Sequence, residues 1–577
     1  MIIISQSSEE AAITRASDCK THCGDVKVPL PVGIGLGCSI DGEQFEIVYN
    51  KSTTTHTPFL RKLEVQLLNI STDQGTLRVT NHLASQNCTV LDIKRKDFPD
   101  DFIVWFSIKC LPGATNVGRG ASIWDTFTEK YPEKIKDGSS GKVADEFYYL
   151  YQSDIVDRLK GMGVDSFRFS ISWSRILPYG TIRGGVNHQG VEFYERLILT
   201  LLKNDIEPIV TLYHWDLPQA LEDKYGGFLK MNIVDDYLDY VDLCFKKFGN
   251  KVKKWITFNE PDRFILGGYE DGHLAPGRCS RYAGHCTNGN SAKEPYLAMH
   301  HLLLAHAKAV DLYRKQYKVE QNGIVGITLQ VTWMIPKFHT YESCLAAYRG
   351  LDFLTGWILH PITFWDYPET VKSLVGCRLP KFTEDESKFL IGSIDFLGVN
   401  YYAATYAEES NISCVMNQGP SYDNRVNLTI SRYSLRIGEQ ITGTEIFVYP
   451  KGIEEVVMYI KENYNNPIMY ITENGINDPD FPDPQDTVRI EYHKKHLCYL
   501  LQAIKFGAKV KGYYAWTFLD NFEWSFGYTK KYGFYRVDRK SMARTAKASV
   551  RWFTDFLKPV PKFVNYEEPA SSLLSAA

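Results

Sequence analysis

Two glutamates, Glu260 and Glu473, each stand at the end of a short run of apolar, β-branched or aromatic residues. The first lies in T-F-N-E-P, which ends at Pro261, and the second in I-T-E-N-G, which ends at Gly475. Two carboxyl groups placed on opposite sides of a bond are what the common mechanism of glycoside hydrolysis needs. Two unrelated glutamates in surface loops are the alternative that the residues alone leave open.

The two segments together, in this order and far apart, resemble plant β-glucosidases of glycoside hydrolase family 1. The similarity runs from about Arg95 to about Lys558. It implies that Glu260 is the general acid/base and Glu473 the nucleophile of a retaining, double-displacement hydrolysis of an O-β-glucoside. A nearby cation should keep Glu473 charged, and Arg168 in F-R-F-S-I-S-W is the candidate. Glu260 also argues against the related thioglucoside-cleaving enzymes, which commonly have Gln at this position.

The same resemblance implies a glucose-binding site. The residues that match family positions around the sugar are His214, Asn259, Tyr402, Trp516, Glu523 and Trp524. Trp516 matches the residue that stacks under the ring, Tyr402 matches the tyrosine that holds the nucleophile, and the others match residues that hydrogen-bond glucose hydroxyls. Asn400, at the end of another apolar run, is a predicted supporting residue. Core packing of the tryptophans and a satisfied core histidine at His214 are the alternatives.

Apolar runs typical of β-strands alternate with helical stretches along this part of the chain. After a first strand near Phe102 they read D-S-F-R-F-S-I-S, P-I-V-T-L-Y, K-W-I-T-F, I-V-G-I-T-L, D-F-L-G-V-N-Y-Y, I-M-Y-I-T and K-G-Y-Y-A-W. Eight such units predict an α/β fold with a parallel sheet, closed into a (β/α)8 TIM barrel. The candidate site residues cluster at the C-terminal ends of the runs, where such barrels carry their active site. A doubly wound open sheet is the alternative, but no glycine-rich phosphate fingerprint follows an early strand.

Composition limits the other classes of function. The chain has 577 residues, of which 44% are hydrophobic, which is enough for a large barrel plus a small extra domain. The net charge is −3 with both signs interspersed, so nothing indicates a nucleic-acid partner. No apolar run reaches the ~18 residues of a membrane span, and no C-x-x-C pair suggests zinc. We therefore predict a small-molecule β-glucoside as substrate, with no cofactor and no metal.

Residues up to about 92 differ in character, with short β-type runs broken by Gly and Pro. The succession C-K-T-H-C-G, P-L-P-V-G-I-G-L-G-C, P-F-L and V-Q-L-L-N-I-S-T-D-Q-G-T-L-R-V resembles the galacturonan-binding domain of plant wall-associated receptor kinases, except that Tyr49 replaces a usual cysteine. This implies a pectin-binding module, whereas an artefactual or recently fused N-terminus is the alternative. We predict an unstructured N-terminus (1–17), a β-rich module (18–92), the barrel (93–560) and a flexible tail (561–577).

Cysteines and sequons bear on the compartment. Cys279 and Cys286 flank a short polar loop that resembles the loop disulfide of plant family 1 enzymes; two free thiols are the alternative. Five N-x-S/T triplets are compatible with secretion, and they begin at Asn50, Asn69, Asn87, Asn411 and Asn427. The first residues do not form a good secretory signal, because the apolar stretch is short and acids follow it. A secretory route is favoured over the cytosol, and the compartment stays open.

Two departures from the family pattern put activity in question. The family has a first-strand segment like S-A-Y-Q-I-E-G, whose Gln holds two glucose hydroxyls, but here the stretch reads V-W-F-S-I-K-C-L-P-G-A-T-N-V-G-R-G, without the Gln and with Pro112. A tryptophan that lines the aglycone site in the family is Glu445 here. Two rival functions therefore stay open: a catalytically impaired carbohydrate-binding pseudoenzyme, and a transglucosidase on the same barrel.

Overall fold

The computed structural model describes residues 93–108, 117–410, 417–440, 447–478 and 483–558 in full. Ahead of them it gives the backbone of short strands at Ile2–Ile3, His22–Cys23, Val26–Lys27, Gly33–Ile34, Glu46–Asn50, Thr57–Leu60, Val65–Ser71 and Thr76–Val79. The rest of residues 1–92 lies outside the described part. The galacturonan-binding module and the domain boundaries therefore stay predictions.

Eight parallel strands close into a barrel in chain order, so the predicted (β/α)8 fold is confirmed. They are β1 Ile103–Ile108, β2 Ser166–Ser170, β3 Glu207–Thr211, β4 Lys254–Asn259, β5 Ile324–Gln330, β6 Phe396–Asn400, β7 Met469–Asn474 and β8 Val510–Trp516. The last strand pairs with the first, with Trp516 opposite Ser107. Because every strand has a neighbour on both sides, no barrel edge is left unpaired.

The helices of seven or more residues in the described part are Ile123–Lys130, Phe147–Ser153, His188–Lys203, Gln219–Tyr225, Asn232–Phe248, Glu294–Gln316, Tyr341–Leu351, Trp357–Phe364, Glu369–Val375, Glu384–Leu390, Lys451–Asn463, Thr487–Lys505 and Ala548–Leu557. Helix Asn232–Phe248 shows why they pack on the barrel. Its buried residues Ile233, Tyr237, Tyr240, Cys244 and Phe248 recur every three or four positions, which makes one continuous apolar stripe. None of the helices in the described ranges is long and apolar enough to cross a membrane.

Two layers of side chains fill the barrel. The lower layer is apolar and consists of Trp105, Ile209, Ile256, Phe396, Tyr470 and Tyr514, all at most 8% exposed. Its rings are in contact, since the centroids of Trp105 and Tyr514 lie 4.2 Å apart. One or two inward positions further along the strands, the residues become polar: Ser107, Arg168, Thr211, Asn259, Asn400 and Thr472. The apolar layer thus forms a closed floor under a polar layer at the C-terminal ends of the strands.

Smaller sheets lie outside the barrel. Strand Trp333–Pro336 pairs with Ala404–Glu409, which pairs in turn with Val426–Thr429. Tyr535–Val537 pairs with Arg544–Ala546 just before the last helix. These additions leave the order of the barrel strands unchanged.

Candidate active site

The two predicted catalytic glutamates meet over the polar layer. Glu260 follows β4 directly and Glu473 lies in β7, and they are only 6% and 3% exposed. Asn400 at the end of β6 donates from Nδ2 to Oε1 of Glu260 at 2.8 Å and, more weakly, to Oδ1 of Asn259 at 3.3 Å. Arg168 donates to the same Asn259 oxygen and to Glu473. One network of β2, β4, β6 and β7 therefore joins the two carboxyl groups.

Glu473 is held by two strong donors. Nη1 of Arg168 donates to Oε1 at 2.7 Å, and the hydroxyl of Tyr402 donates to Oε2 at 2.7 Å. The guanidinium of Arg168 is 2% exposed and also donates to Ser107 and Thr211 at 3.0 and 3.1 Å. The bond from the buried guanidinium and the bond from the phenol together fix the orientation of the Glu473 carboxyl group.

Glu260 has the opposite environment. Within the described residues the one side chain that donates to it is Asn400, a neutral amide. Burial, then the charge of Glu473, then that of Asp262 raise the pKa of Glu260 to about 8. At neutral pH this carboxyl therefore holds a proton, which is the state a general acid needs.

The backbone aims both side chains. Glu260 has φ 46° and ψ 59°, a left-handed conformation uncommon for residues other than glycine, and its N–H donates to the carbonyl of Thr328 at 2.8 Å. The β4–β5 pairing shifts register between Ile256 and Asn259, and the β7–β8 pairing shifts between Ile471 and Asn474. Bulges of this kind re-aim side chains beside active sites. In β7 the shift lets Thr472 and Glu473 both face the polar layer.

Gly475 shows why the I-T-E-N-G segment ends in glycine. A Cβ atom at this position would lie 1.9 Å from the carbonyl oxygen of Trp516, far inside contact distance. The chain that leaves β7 therefore passes directly against the end of β8. This close approach brings β7, which carries Glu473, beside the tryptophan expected under the sugar ring.

The predicted sugar-binding residues surround the same space. Nδ2 of Asn259 lies 3.0 Å from Nε2 of His214, and the His214 ring lies 6.1 Å from Trp516 and 5.7 Å from Trp524. Glu523 precedes Trp524 and is 7% exposed. Because Nδ2 of Asn259 is a donor, His214 accepts at Nε2 and carries its proton at Nδ1. The structure thus brings five of these residues together with Arg168 and Asn400, and the sixth, Glu523, is the chain neighbour of Trp524.

Several residues of the site were not found from the sequence. Ser107, Thr211 and Thr472 contact Arg168, and Trp215 donates from Nε1 to the carbonyl of Asn259 at 2.8 Å while stacking on Trp524. A usable signal was a hydroxyl residue near the C-terminal end of an apolar strand, as in W-F-S-I, I-V-T-L and Y-I-T-E. Such a residue cannot be satisfied by apolar neighbours, so it indicates a polar layer.

Cys279 and Cys286 form a disulfide in the structure, with their Cα atoms 5.4 Å apart, as the resemblance implied. Other sequence predictions fall outside the described residues. They include Pro112 in the altered stretch, the aglycone residue Glu445, the sequons at Asn87 and Asn411, and the tail (561–577). Strand β1 itself is formed up to Ile108 and contributes Ser107 to the site.

Comparisons with known proteins agree with this geometry. The model of the family described as "Glycosyl hydrolase family 1" matches residues 94–560. β-Glucosidase 17 of Arabidopsis thaliana is 50% identical over 475 residues, which cover 81% of this chain and 92% of that protein. β-Glucosidase 12 of Oryza sativa subsp. indica is 49% identical over 476 residues, which cover 81% of this chain and 93% of that protein.

Solved structures show the same similarity. The crystal structure of a rice β-glucosidase is 42% identical with a TM-score of 0.79 and covers 81% of this chain and all of that one. A mutant of the same rice enzyme was solved in a covalent complex with glucose, again with a TM-score of 0.79.

Proposed function

The chain belongs to glycosyl hydrolase family 1 and is a retaining O-glycosyl hydrolase. On that premise we propose that it hydrolyses β-glucosides, with Glu473 as the nucleophile and Glu260 as the general acid and base. The observation that carries the proposal is the contrast between the two carboxyl groups. Glu473 accepts hydrogen bonds from a buried guanidinium and a phenol, whereas burial and the charge of Glu473 raise the pKa of Glu260 to about 8.

In the first step the carboxylate of Glu473 attacks the anomeric carbon and forms the glycosyl–enzyme ester. The bond to the leaving oxygen breaks at the same time, and Glu260 transfers its proton to that oxygen. The aglycone departs as a neutral alcohol or phenol, and Glu260 is left as a carboxylate. Arg168 and Tyr402 hold Glu473 in place while its charge moves into the new bond.

The second step uses the same two groups in exchanged roles. Esterification removes the negative charge of Glu473, so the repulsion that favoured the protonated form of Glu260 disappears and its pKa falls. Glu260 then accepts a proton from the incoming water, whose oxygen attacks the anomeric carbon. Glucose leaves with its original configuration and Glu473 is a carboxylate again.

The sugar would be recognised by the polar and aromatic wall of the site. His214, Asn259, Glu523 and Trp524 present donors and acceptors to hydroxyls, and the ring of Trp516 offers a face for stacking. Specificity of this type is strong, because an analogue that lacks a hydroxyl leaves a buried polar group unpaired. The covalent glucose complex of the rice relative supports both a glucosyl substrate and a covalent intermediate.

Pectin binding by residues 18–92, transglucosylation and loss of activity through the altered first strand stay predictions, and no contact within the described ranges favours them. Turnover of an aryl β-glucoside separates the hydrolase from the pseudoenzyme. New glucosides formed from added alcohols would reveal the transglucosidase.

The proposal is tested by trapping the intermediate. A 2-deoxy-2-fluoro-β-glucoside with a good leaving group should label the protein once, on the peptide that contains Glu473, and the label should stay because the fluorine slows release. NMR of a turnover reaction with an ordinary aryl glucoside should show β-glucose as the first product. A label on another carboxyl group, or α-glucose as first product, would contradict the assignment of the nucleophile.

A further inference from the structure

We propose that Tyr513 and His493 are positioning residues that hold the ends of β6 and β7, and with them both catalytic carboxyl groups, through the side-chain amide of Asn474. The inference rests on the proposed roles of Glu260 and Glu473. It concerns the face of the strands opposite the substrate, between the barrel and helix Thr487–Lys505.

Asn474 is the centre of this network. The register shift before it turns its side chain away from the polar layer, so that consecutive residues Glu473 and Asn474 face opposite sides of β7. Oδ1 of Asn474 accepts from the hydroxyl of Tyr513 at 2.6 Å. Its Nδ2 donates to the carbonyl of Tyr401 at 2.6 Å and to the hydroxyl of Tyr492 at 3.0 Å. Both donor hydrogens and the oxygen of the amide are therefore engaged.

Tyr401 links this network to the chemistry. Its neighbours in the chain are Asn400, which donates to Glu260, and Tyr402, which donates to Glu473. Its own N–H donates to the carbonyl of Glu473 at 3.0 Å. Whatever fixes the carbonyl of Tyr401 thus fixes the donors of both carboxyl groups, and Asn474 is the side chain that does so.

The protons of the network have one consistent arrangement. The single hydroxyl hydrogen of Tyr513 is committed to Asn474, so Nδ1 of His493, 2.6 Å from the same oxygen, must be the donor to Tyr513. Burial, then the nearby guanidinium of Arg489, hold the pKa of His493 well below its ordinary value. The ring is therefore neutral with its proton on Nδ1. Phe534 and Phe553 lie 5.3 Å from it and keep it in place.

Removal of the Tyr513 hydroxyl leaves two buried groups without partners, Oδ1 of Asn474 and Nδ1 of His493. Both residues and Tyr513 itself are fully buried, so water does not replace the lost bonds at no cost. The amide of Asn474 is then free to rotate, and the segment around Tyr401 is no longer clamped. A displacement of about 1 Å at reacting groups costs up to about 100-fold in rate, while contacts with the sugar itself are untouched.

The experiment compares Tyr513→Phe with Tyr296→Phe. Tyr296 is an equally buried tyrosine whose hydroxyl donates to Asp423 at 2.6 Å, outside the network. We expect both variants to lose thermal stability, and Tyr513→Phe alone to slow labelling by the fluoroglucoside and kcat for aryl glucosides by about 10- to 100-fold, with KM little changed. The same loss in both variants, or unchanged labelling by Tyr513→Phe, would overturn the inference.

A second pair of variants keeps the test decisive if Tyr513→Phe does not fold. Asn can place an amide N–H where Nδ1 of His493 lies, whereas Leu cannot, so His493→Leu should slow labelling and His493→Asn should restore most of the rate. Equal rates in these two variants would refute the positioning role. Glu473→Gln, measured beside them, distinguishes failure of the proposed function from failure of the positioning role. If Glu473→Gln is still labelled, the proposed function is wrong. If Glu473→Gln is not labelled but all the Tyr513 and His493 variants are labelled at the native rate, only the positioning role is wrong.

Discussion

The ends of β4 and β7 carry the same residue type in opposite electrostatic settings. At β7, Glu473 faces the buried guanidinium of Arg168 and the hydroxyl of Tyr402. At β4, Glu260 receives one hydrogen bond from a neutral amide and faces the negative charges of Glu473 and Asp262. The difference teaches that the division of labour between two identical side chains is decided by their neighbours and not by the side chains themselves.

The contrast is broken most completely by removing the carboxylate at β7. Glu473→Gln keeps the shape but leaves no group to form the ester, so kcat should fall by about 10⁴-fold or more, the scale seen when a nucleophile is removed. Steady-state turnover of an activated aryl glucoside measures this. Glu270→Gln is the matched control, because Glu270 is also a buried acid, bonded to Ser421 outside the site. Comparable losses in both variants would mean that the effect is structural.

The second change removes the cation that distinguishes the two ends. Arg168→Met leaves Glu473 buried without its partner, which costs about 3–5 kcal/mol of stability. It should also reduce kcat/KM by at least 100-fold, because the carboxyl group of Glu473 loses the hydrogen bond that orients it. Thermal unfolding and kinetics are measured together. Arg544→Met breaks another buried ion pair, with Asp154 at 3.1 Å, and should lose stability while keeping its activity. Normal activity of Arg168→Met would show that Arg168 does not sustain the nucleophile.

The third prediction concerns the proton at β4. The pKa of Glu260 is about 8 in the folded protein, so kcat/KM should decline as pH rises through about 8, when the acid is lost. In Glu260→Gln this alkaline decline should vanish, and labelling by substrates with good leaving groups should be affected least. An alkaline limb that persists unchanged in Glu260→Gln would assign it to another group.

The free energy of unfolding should also depend on pH through the proton of Glu260. The carboxyl titrates near 4.5 when unfolded and near 8 when folded, so the folded state binds the extra proton between these values. Its favourable contribution is fully present below about 4.5 and is lost as pH rises toward 8. The unfolding free energy of the native chain relative to Glu260→Gln should therefore decrease over this window in urea titrations. An increase would contradict the assigned pKa direction.

The smallest expected effect comes from Asp262, which adds to the difference between the environments of Glu260 and Glu473. Asp262 is the second charge that raises the pKa of Glu260, after burial and Glu473. Asp262→Asn should move the alkaline limb of kcat/KM to lower pH, with less than about a tenfold change at its maximum. Glu454→Gln is the control, since burial also raises the pKa of Glu454 to about 7 but it lies on helix Lys451–Asn463. Identical pH profiles for Asp262→Asn and the native chain would exclude this role.

The sequence allowed the barrel to be predicted because each strand is buried on both faces, which forces an apolar run that can be read directly. Glu260 and Glu473 were found because each interrupts such a run at its end. The left-handed backbone of Glu260 and the register shift before Asn474 were not predictable. Both are set by hydrogen bonds to strands distant in the chain, such as the carbonyl of Thr328 for Glu260. For the same reason no sequence pattern singles out Asp262 or Tyr513.

The apolar layer of the barrel has a consequence for the order in which products are released. Trp105, Tyr470 and Tyr514 pack with their neighbours across the lower end of the barrel, so substrate and products should pass the C-terminal ends of the strands, where the polar layer lies. In the proposed mechanism the first step leaves the glucosyl group bound to Glu473, so the aglycone departs before water attacks the ester. We therefore expect ordered product release, with the aglycone first and glucose last. Glucose should then compete directly with substrate for the free active site, whereas the aglycone should bind only to the glucosyl enzyme.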